Sequence, residues 1–205
     1  MNIRPPKIIK KLYPSLIWNF HSEANKNKVF LTFDDGPTEE ITYWILDTLD
    51  KYDAKATFFC LGKNVEQHLK QYHEIVKRGH IVANHSYSHI KGWGQSVGRY
   101  IEDADLANHL ISSNLFRPPY ARITMAQARR ISERYNIIMW DVLSMDYSQM
   151  VTPKMCVNNV LQNVKGGSIV VFHDSLKSSR NMKYALPRVL DYLQQNGYTC
   201  SSIIL

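Results

Sequence analysis

Two short segments of this 205-residue chain carry residue types at spacings that suit chemistry on a divalent ion. "LTFDDGP" (31–37) ends an apolar run in adjacent carboxylates, Asp34 and Asp35, before Gly36 and Pro37 break the chain. Turn propensity accounts for the Gly and the Pro but does not call for two acids. "NHSYSH" (84–89) places His85 and His89 four residues apart, so both imidazoles can face one ion from a helical turn or a tight loop. Ser86 stands where a zincin helix motif needs its Glu, which excludes that class. The HxxxH spacing is weak by itself. With a carboxylate as third donor it becomes a His₂-carboxylate set with an open position, the pattern of a catalytic divalent cation. One aspartate can be that donor. The other then lies within reach of a metal-bound water, whose pKa the cation lowers and whose proton a carboxylate can accept. A dication also removes the cost of adjacent acids. Imidazole nitrogens favour Zn²⁺ or Co²⁺ over Mg²⁺.

Other capable residues follow along the chain: Arg117 in "LFRPPY", Asp141 and Asp146 in "WDVLSMDY", His173 and Asp174 in "VFHD". Hydrophobic periodicity predicts the elements that must position them. Strands are expected at 28–33, 56–62, 80–85, 115–120, 137–143, 168–174 and 199–205. Helices are expected at 38–52, opening on a capping box at Thr38, and at 64–78, 100–113, 124–135, 153–164 and 185–196. Apolar strands alternating with helices predict a parallel sheet covered on both faces, either doubly wound or closed as a barrel. No GxGxxG follows the first strand, which removes support from a dinucleotide fold. All the capable residues except Asp141 fall at carboxyl ends of strands, and in a β/α barrel those ends converge on one face.

Composition bounds the partners. The net charge of +7 is spread without a Lys/Arg block, so no nucleic-acid partner is expected. No run of 18 apolar residues exists, so no transmembrane helix is predicted. Cys60, Cys156 and Cys200 are an odd number without a CxxC, which argues against a disulfide framework or a cysteine zinc site. In residues 1–27, Lys10 and Lys11 interrupt the apolar stretch, Pro14 follows, and there is no clear signal peptide. That segment is read as a lead-in packing on the barrel, with 1–205 as one catalytic domain, and a monomer is expected.

"TFDDGP", "HSYSH", "RPPY", "WDVLSMDY" and "VFHD", in this order and spacing, resemble the five motifs of the polysaccharide deacetylase family (carbohydrate esterase family four, the nodulation-type deacetylase domain). The resemblance runs from about Lys28 to the C-terminus. It implies an α/β fold, a distorted parallel (β/α) barrel of about seven strands with the active site at the C-terminal ends of the strands. It implies metal-dependent removal of acetyl groups from an N-acetylated sugar. Carried over residue by residue, Asp34 is the base, and Asp35, His85 and His89 are the ligands of one divalent metal ion, Zn²⁺ or Co²⁺. Arg117 orients Asp34, and Asp146 steadies Arg117, so that the guanidinium bridges the two acids. The backbone N–H of Tyr120 helps hold the oxyanion, and His173 is the general acid. Tyr147, Val171 and Ala121 stand where the family commonly has Trp, Leu and Gly, departures that bear on substrate fit.

Tyr120, Tyr147 and Trp93, the last in the loop "KGWG", are the candidate substrate contacts. The expected substrate is an N-acetylglucosamine-containing glycan, peptidoglycan or a chitin-like oligomer. An O-acetyl polysaccharide esterase and a non-catalytic glycan-binding domain are the alternatives. The intact set of Asp34, Asp35, His85, His89, Arg117 and His173 speaks against the last, since binding alone needs neither base nor acid. The compartment is cytoplasmic by default, and periplasmic or cell-envelope if the substrate is peptidoglycan.

Overall fold

The computed structural model describes residues 3–205, so Met1 and Asn2 of the expected lead-in lie outside the described residues. In chain order the strands are β1 (Lys28–Asp34), β2 (Ala56–Cys60), β3 (Ile81–Asn84), β4 (Leu115–Phe116), β5 (Asn136–Ile137), β6 (Val142–Leu143), β7 (Ile169–His173) and β8 (Thr199–Cys200). The helices are α1 (Lys7–Leu12), α2 (Ile41–Asp50), α3 (Gly62–Gln67), α4 (Leu69–Lys77), α5 (Val97–Ile111), α6 (Met125–Ile131), α7 (Pro153–Leu161) and α8 (Ser179–Gln195). Seven parallel strands run in the order β5-β4-β3-β2-β1-β7-β6 and curl into a distorted barrel; β8 pairs with the start of β1. No helix among the described residues is long and apolar enough to cross a membrane.

Strand alternation divides the side chains between two cores. Val29, Leu31 and Phe33 of β1, with Phe58 and Phe172, face outward onto α2 and α8, where they meet Ile45, Leu46, Leu186 and Leu190. Phe33 lies between the rings of Phe58 (5.0 Å) and Phe172 (6.0 Å). The alternate residues Phe30, Phe59 and Ile169 fill the barrel interior with Leu115 and Ile138. The same alternation turns Thr32, Asp34 and His173 inward, above that apolar floor.

The segment expected as one strand over 137–143 is two short strands on opposite edges of the sheet, β5 beside β4 and β6 beside β7. Residues 138–141 cross between the edges and close the ring. Asp141 fixes the far side of that crossing, accepting hydrogen bonds from the N–H of Ile169 (2.7 Å) and the hydroxyl of Ser168 (3.0 Å). The seam is filled by the N-terminal segment: Ile17 donates to Ile137 O (2.9 Å) and accepts from Met139 N (2.7 Å), while Leu16 and Trp18 are buried beside it.

Four further expectations are corrected. α2 starts at Ile41 without a side-chain cap, because the Thr38 hydroxyl instead donates to Asp174 at 2.7 Å. The helix expected over 64–78 breaks at His68 into α3 and α4, and the one expected at 185 begins at Ser179. The terminal strand pairs only at Thr199 and Cys200.

Candidate active site

The capable residues meet at the C-terminal ends of the strands in a cleft of about 520 Å³, lined by Asp34, Asp35, His85, His89, Tyr120, Tyr147 and His173 among others. A larger cavity of about 610 Å³ at the other end of the barrel lies between Phe20, Phe30 and the C-terminal segment. It brings together no comparable set of acids and imidazoles.

Asp35, His85 and His89 each offer a ligand atom, and the three atoms lie within 4.8 Å of one another. Asp35 Oδ1 is 3.6 Å from His85 Nε2 and 3.2 Å from His89 Nε2. Left-handed backbone at Asp35 (φ 79°) and His89 (φ 61°) turns these side chains into the cleft, a conformation that non-glycine residues hold only where surrounding contacts impose it. Those contacts are present. Asn64 donates to Asp35 O at 2.7 Å, and Asp103 on α5 accepts from the N–H groups of Tyr87 (3.0 Å) and Ser88 (3.1 Å), which secures the loop between the two histidines.

His85 Nδ1 lies 2.8 Å from Arg117 O. A carbonyl can only accept, so Nδ1 carries the proton and the Nε2 lone pair faces Asp35. Burial brings His85 down to about 4, with Arg117 adding to the shift and Asp34 opposing it. Burial, with His85 next to it, brings His89 also to about 4. Both imidazoles are therefore neutral near pH 7, the form that binds metal. Burial and the neighbouring Asp34 hold the Asp35 carboxyl above its ordinary range, against the pull of His173 and His89. A dication beside it would reverse that. By donor type, tautomer and charge, the three residues fit a divalent cation.

Asp34 is buried and paired with a wholly buried Arg117, whose Nη1 donates to Asp34 Oδ1 at 2.7 Å and to Thr32 Oγ1 at 2.7 Å. Burial would raise the Asp34 carboxyl; Arg117, with His85 and His173, outweighs it and holds the group below its ordinary value. The remaining Arg117 donors go to backbone carbonyls, Nε to Ile138 (3.1 Å) and Nη2 to Met139 (2.9 Å), and its guanidinium lies 3.9 Å from the Phe59 ring centroid. The expected bridge from Arg117 to Asp146 is absent. Asp146 pairs with His173 instead: Oδ1 accepts from Nδ1 at 2.8 Å and Oδ2 from the His173 N–H at 2.7 Å. The reason is topological. Asp146 follows β6, next to β7, whereas the carbonyls of the seam crossing have already taken the Arg117 fork. Burial would lower His173, but Asp146 overrides it and the imidazole rises to about 9.

Tyr120 has φ 58°, its ring lies 4.4 Å from that of His89, and its backbone N–H makes no hydrogen bond among the described residues. Tyr147 packs edge-on against His173 at 4.8 Å. Trp93 is not among the cleft-lining residues. It stands behind Arg122, which is. Trp140 does line the cleft. Asp103 and Asn64, which help hold the site together, belong to none of the five motifs, while Thr32 opens the first of them.

Residues 21–139 match the family model described as polysaccharide deacetylase. The chain is 36% identical over 189 residues to a peptidoglycan-N-acetylglucosamine deacetylase of Bacillus cereus, covering 87% of this chain and 67% of that protein. Among solved structures, it superposes with a TM-score of 0.85 and 29% identity on a peptidoglycan N-acetylglucosamine deacetylase, covering 95% of this chain and 94% of that one. It also superposes with a TM-score of 0.82 and 27% identity on a Bacillus anthracis pseudoenzyme of the same carbohydrate esterase family, covering 93% and 68%. Likeness of fold thus extends to a protein described as inactive, and activity has to be argued from the residues of the cleft.

Proposed function

The chain belongs to the polysaccharide deacetylase family, and we propose that it is a metal-dependent hydrolase that removes acetyl groups from N-acetylglucosamine units of a glycan, peptidoglycan or a chitin-like oligomer. The observation that carries this reading is the opposition of two groups in one cleft. Asp34 is held ionised by Arg117, and His173 is held protonated by Asp146. Environments that push two titratable groups apart in this way are the mark of a base and an acid.

A divalent cation bound by Asp35, His85 and His89, Zn²⁺ or Co²⁺ by donor type, would supply Lewis acidity toward a water and the acetyl carbonyl. Asp34 takes the proton of the attacking water, and Arg117 fixes the direction in which its carboxylate points. The Tyr120 N–H donates to the oxygen that becomes negative as the carbonyl turns tetrahedral. His173 Nε2, the ring nitrogen left when Nδ1 bonds Asp146, gives its proton to the departing sugar nitrogen as the C–N bond breaks. The products are acetate and a free amine. A positioned base or acid is each worth about 10²–10⁴-fold in rate.

The test is acetate release from N-acetylated glycans, with O-acetylated glycans in parallel, before and after chelation and with Zn²⁺ or Co²⁺ restored. Activity on N-acetyl substrates that chelator abolishes is the expected result. Glycan binding without acetate under any metal condition would overturn it in favour of a non-catalytic domain.

A further inference from the structure

Two cations line the cleft and have no place in this chemistry. Arg122 lies in the loop after β4 and Lys177 in the loop after β7; both are exposed. Those strands stand on opposite sides of the ring, so the charges approach the cleft from two directions. Neither has an acidic partner among the described residues. Of the acids that line the cleft, Asp34 is already answered inside it by Arg117 at 2.7 Å, and Asp35 is committed to the proposed cation site with His85 and His89. The rim therefore carries uncompensated positive charge.

Each cation is posted on an aromatic ring. The Arg122 guanidinium lies 5.3 Å from the Trp93 centroid, and the Lys177 ammonium 5.8 Å from that of Tyr147. The Trp93 loop is latched to the Arg122 loop. Gly92 N–H donates to Arg122 O at 2.7 Å, Gln127 Nε2 donates to Gly92 O at 2.8 Å, and Trp93 Nε1 donates to Ile123 O at 3.4 Å. A Cβ at position 92 would come within 2.6 Å of Arg122 O, so the approach requires glycine. A guanidinium resting on an indole is pre-oriented and loses less freedom when it meets an anion. Such devices are wasted on a neutral polymer and suit one that carries carboxylates.

Resting on the deacetylase reading above, we propose that this cleft selects glycans bearing a carboxylate on the sugars beside the reacting unit, with Arg122 and Lys177 reading those carboxylates and Trp93 positioning Arg122. The carboxylate can be a lactyl ether or a uronate; a chitin-like oligomer has neither.

The test is equilibrium binding of three tetrasaccharides to the metal-loaded protein. One contains only N-acetylglucosamine, one alternates it with N-acetylmuramic acid, and one alternates it with glucuronic acid. The parent protein should bind at least one acidic tetramer more tightly than the neutral one, with a preference that shrinks as salt is added. The tighter acidic arm names the carboxylate. Arg122→Gln and Lys177→Gln should each cut the acidic-to-neutral affinity ratio about two- to fivefold, as expected for exposed charge pairs. Trp93→Leu should cut it comparably, and the Trp93→Leu/Arg122→Gln double variant should lose no more than Arg122→Gln, because both act through one contact. Equal affinity for all three tetramers, or a preference that survives in the Arg122→Gln/Lys177→Gln double variant, overturns the proposal. Acetate release from the same tetramers is scored separately: charge preference without acetate overturns the deacetylase reading alone.

Discussion

Asp34 and His173 are register partners on the adjacent parallel strands β1 and β7. Strand period turns both side chains into the barrel on the same rung, and backbone pairing fixes their separation at the spacing of neighbouring strands, about 4.8 Å. The proposed base and acid are thus set by the sheet rather than by flexible loops. The proposed cation donors approach from β1 and from the loop after β3, so the water-side and leaving-group-side chemistry share only the Asp34–Asp35 step.

The two adjacent aspartates should fail differently. Asp34→Asn keeps the three cation donors and should bind Zn²⁺ nearly as tightly as the parent while losing about 10²–10⁴-fold in turnover. Asp35→Asn replaces an anionic donor with a neutral one and should lose cation affinity itself. Titrating Zn²⁺ into both during acetate release should partly rescue Asp35→Asn and leave Asp34→Asn unmoved. Rescue of Asp34→Asn would reverse the assignment.

Arg117→Lys should damage both activity and stability. A lysine can keep one contact to Asp34 but cannot also satisfy the carbonyls of Ile138 and Met139. Each buried acceptor left without a donor costs about 1–3 kcal/mol. Chemical denaturation should show a loss of about 2 kcal/mol or more alongside reduced turnover. A variant with the parental midpoint would show that the seam carbonyls find other donors.

The alkaline limb of the pH–rate profile should depend on Asp146. His173 sits at about 9 because of that carboxylate. An acid must be protonated to act, so the rate should fall as pH rises through the His173 value. Asp146→Asn removes the carboxylate charge and should move the limb toward lower pH. Stability follows the same sign. His173 is raised above its ordinary 6.5, so the pair's contribution is complete below about 6.5 and lost as pH rises through about 9. A limb that stays in place in Asp146→Asn would assign it to another group.

Asp174 should give stability an unusual slope. It is wholly buried, accepts hydroxyl hydrogen bonds from Thr38 (2.7 Å) and Thr42 (2.5 Å), and burial raises it from 3.8 to about 7 despite them. Between those values the unfolded chain has released a proton that the folded chain retains, so stability falls as pH rises from about 4 to about 7. Asp174→Asn, which cannot ionise, should flatten that part of the profile in denaturation measurements. An unchanged slope would place its origin elsewhere.

The site was legible where chemistry demands particular residue types. Asp34, Asp35, His85, His89 and His173 were each identified in the sequence, and the fold brings them into one cleft, because acids and imidazoles at strand ends have few structural reasons to be there. Partner choice was not legible. Arg117 and Asp146 were expected to pair, yet which strand edge each one faces depends on how the ring closes, and nothing local in "IIMWDVL" says that it divides between two edges. Trp93 illustrates the same limit: a loop tryptophan beside the histidine motif is visible, but that it stands behind Arg122 rather than in the cleft depends on the latch from Gly92 to the next loop. Asp103 carried no signal at all, lying on a helix whose pattern asks only for a polar residue there.

The ring of strands is a split hoop, and its split lies beside the residue that aims the proposed base. Ile138 and Met139 serve two masters: their N–H groups hold the crossing to Phe116 and Ile17, and their carbonyls hold the fork of Arg117. Slack in the N-terminal segment at Ile17 would therefore be transmitted through the one peptide group between Ile138 and Met139, and then through Arg117, to the direction of the Asp34 carboxylate. Catalytic aim and the tension of the closure are in this chain one mechanical property.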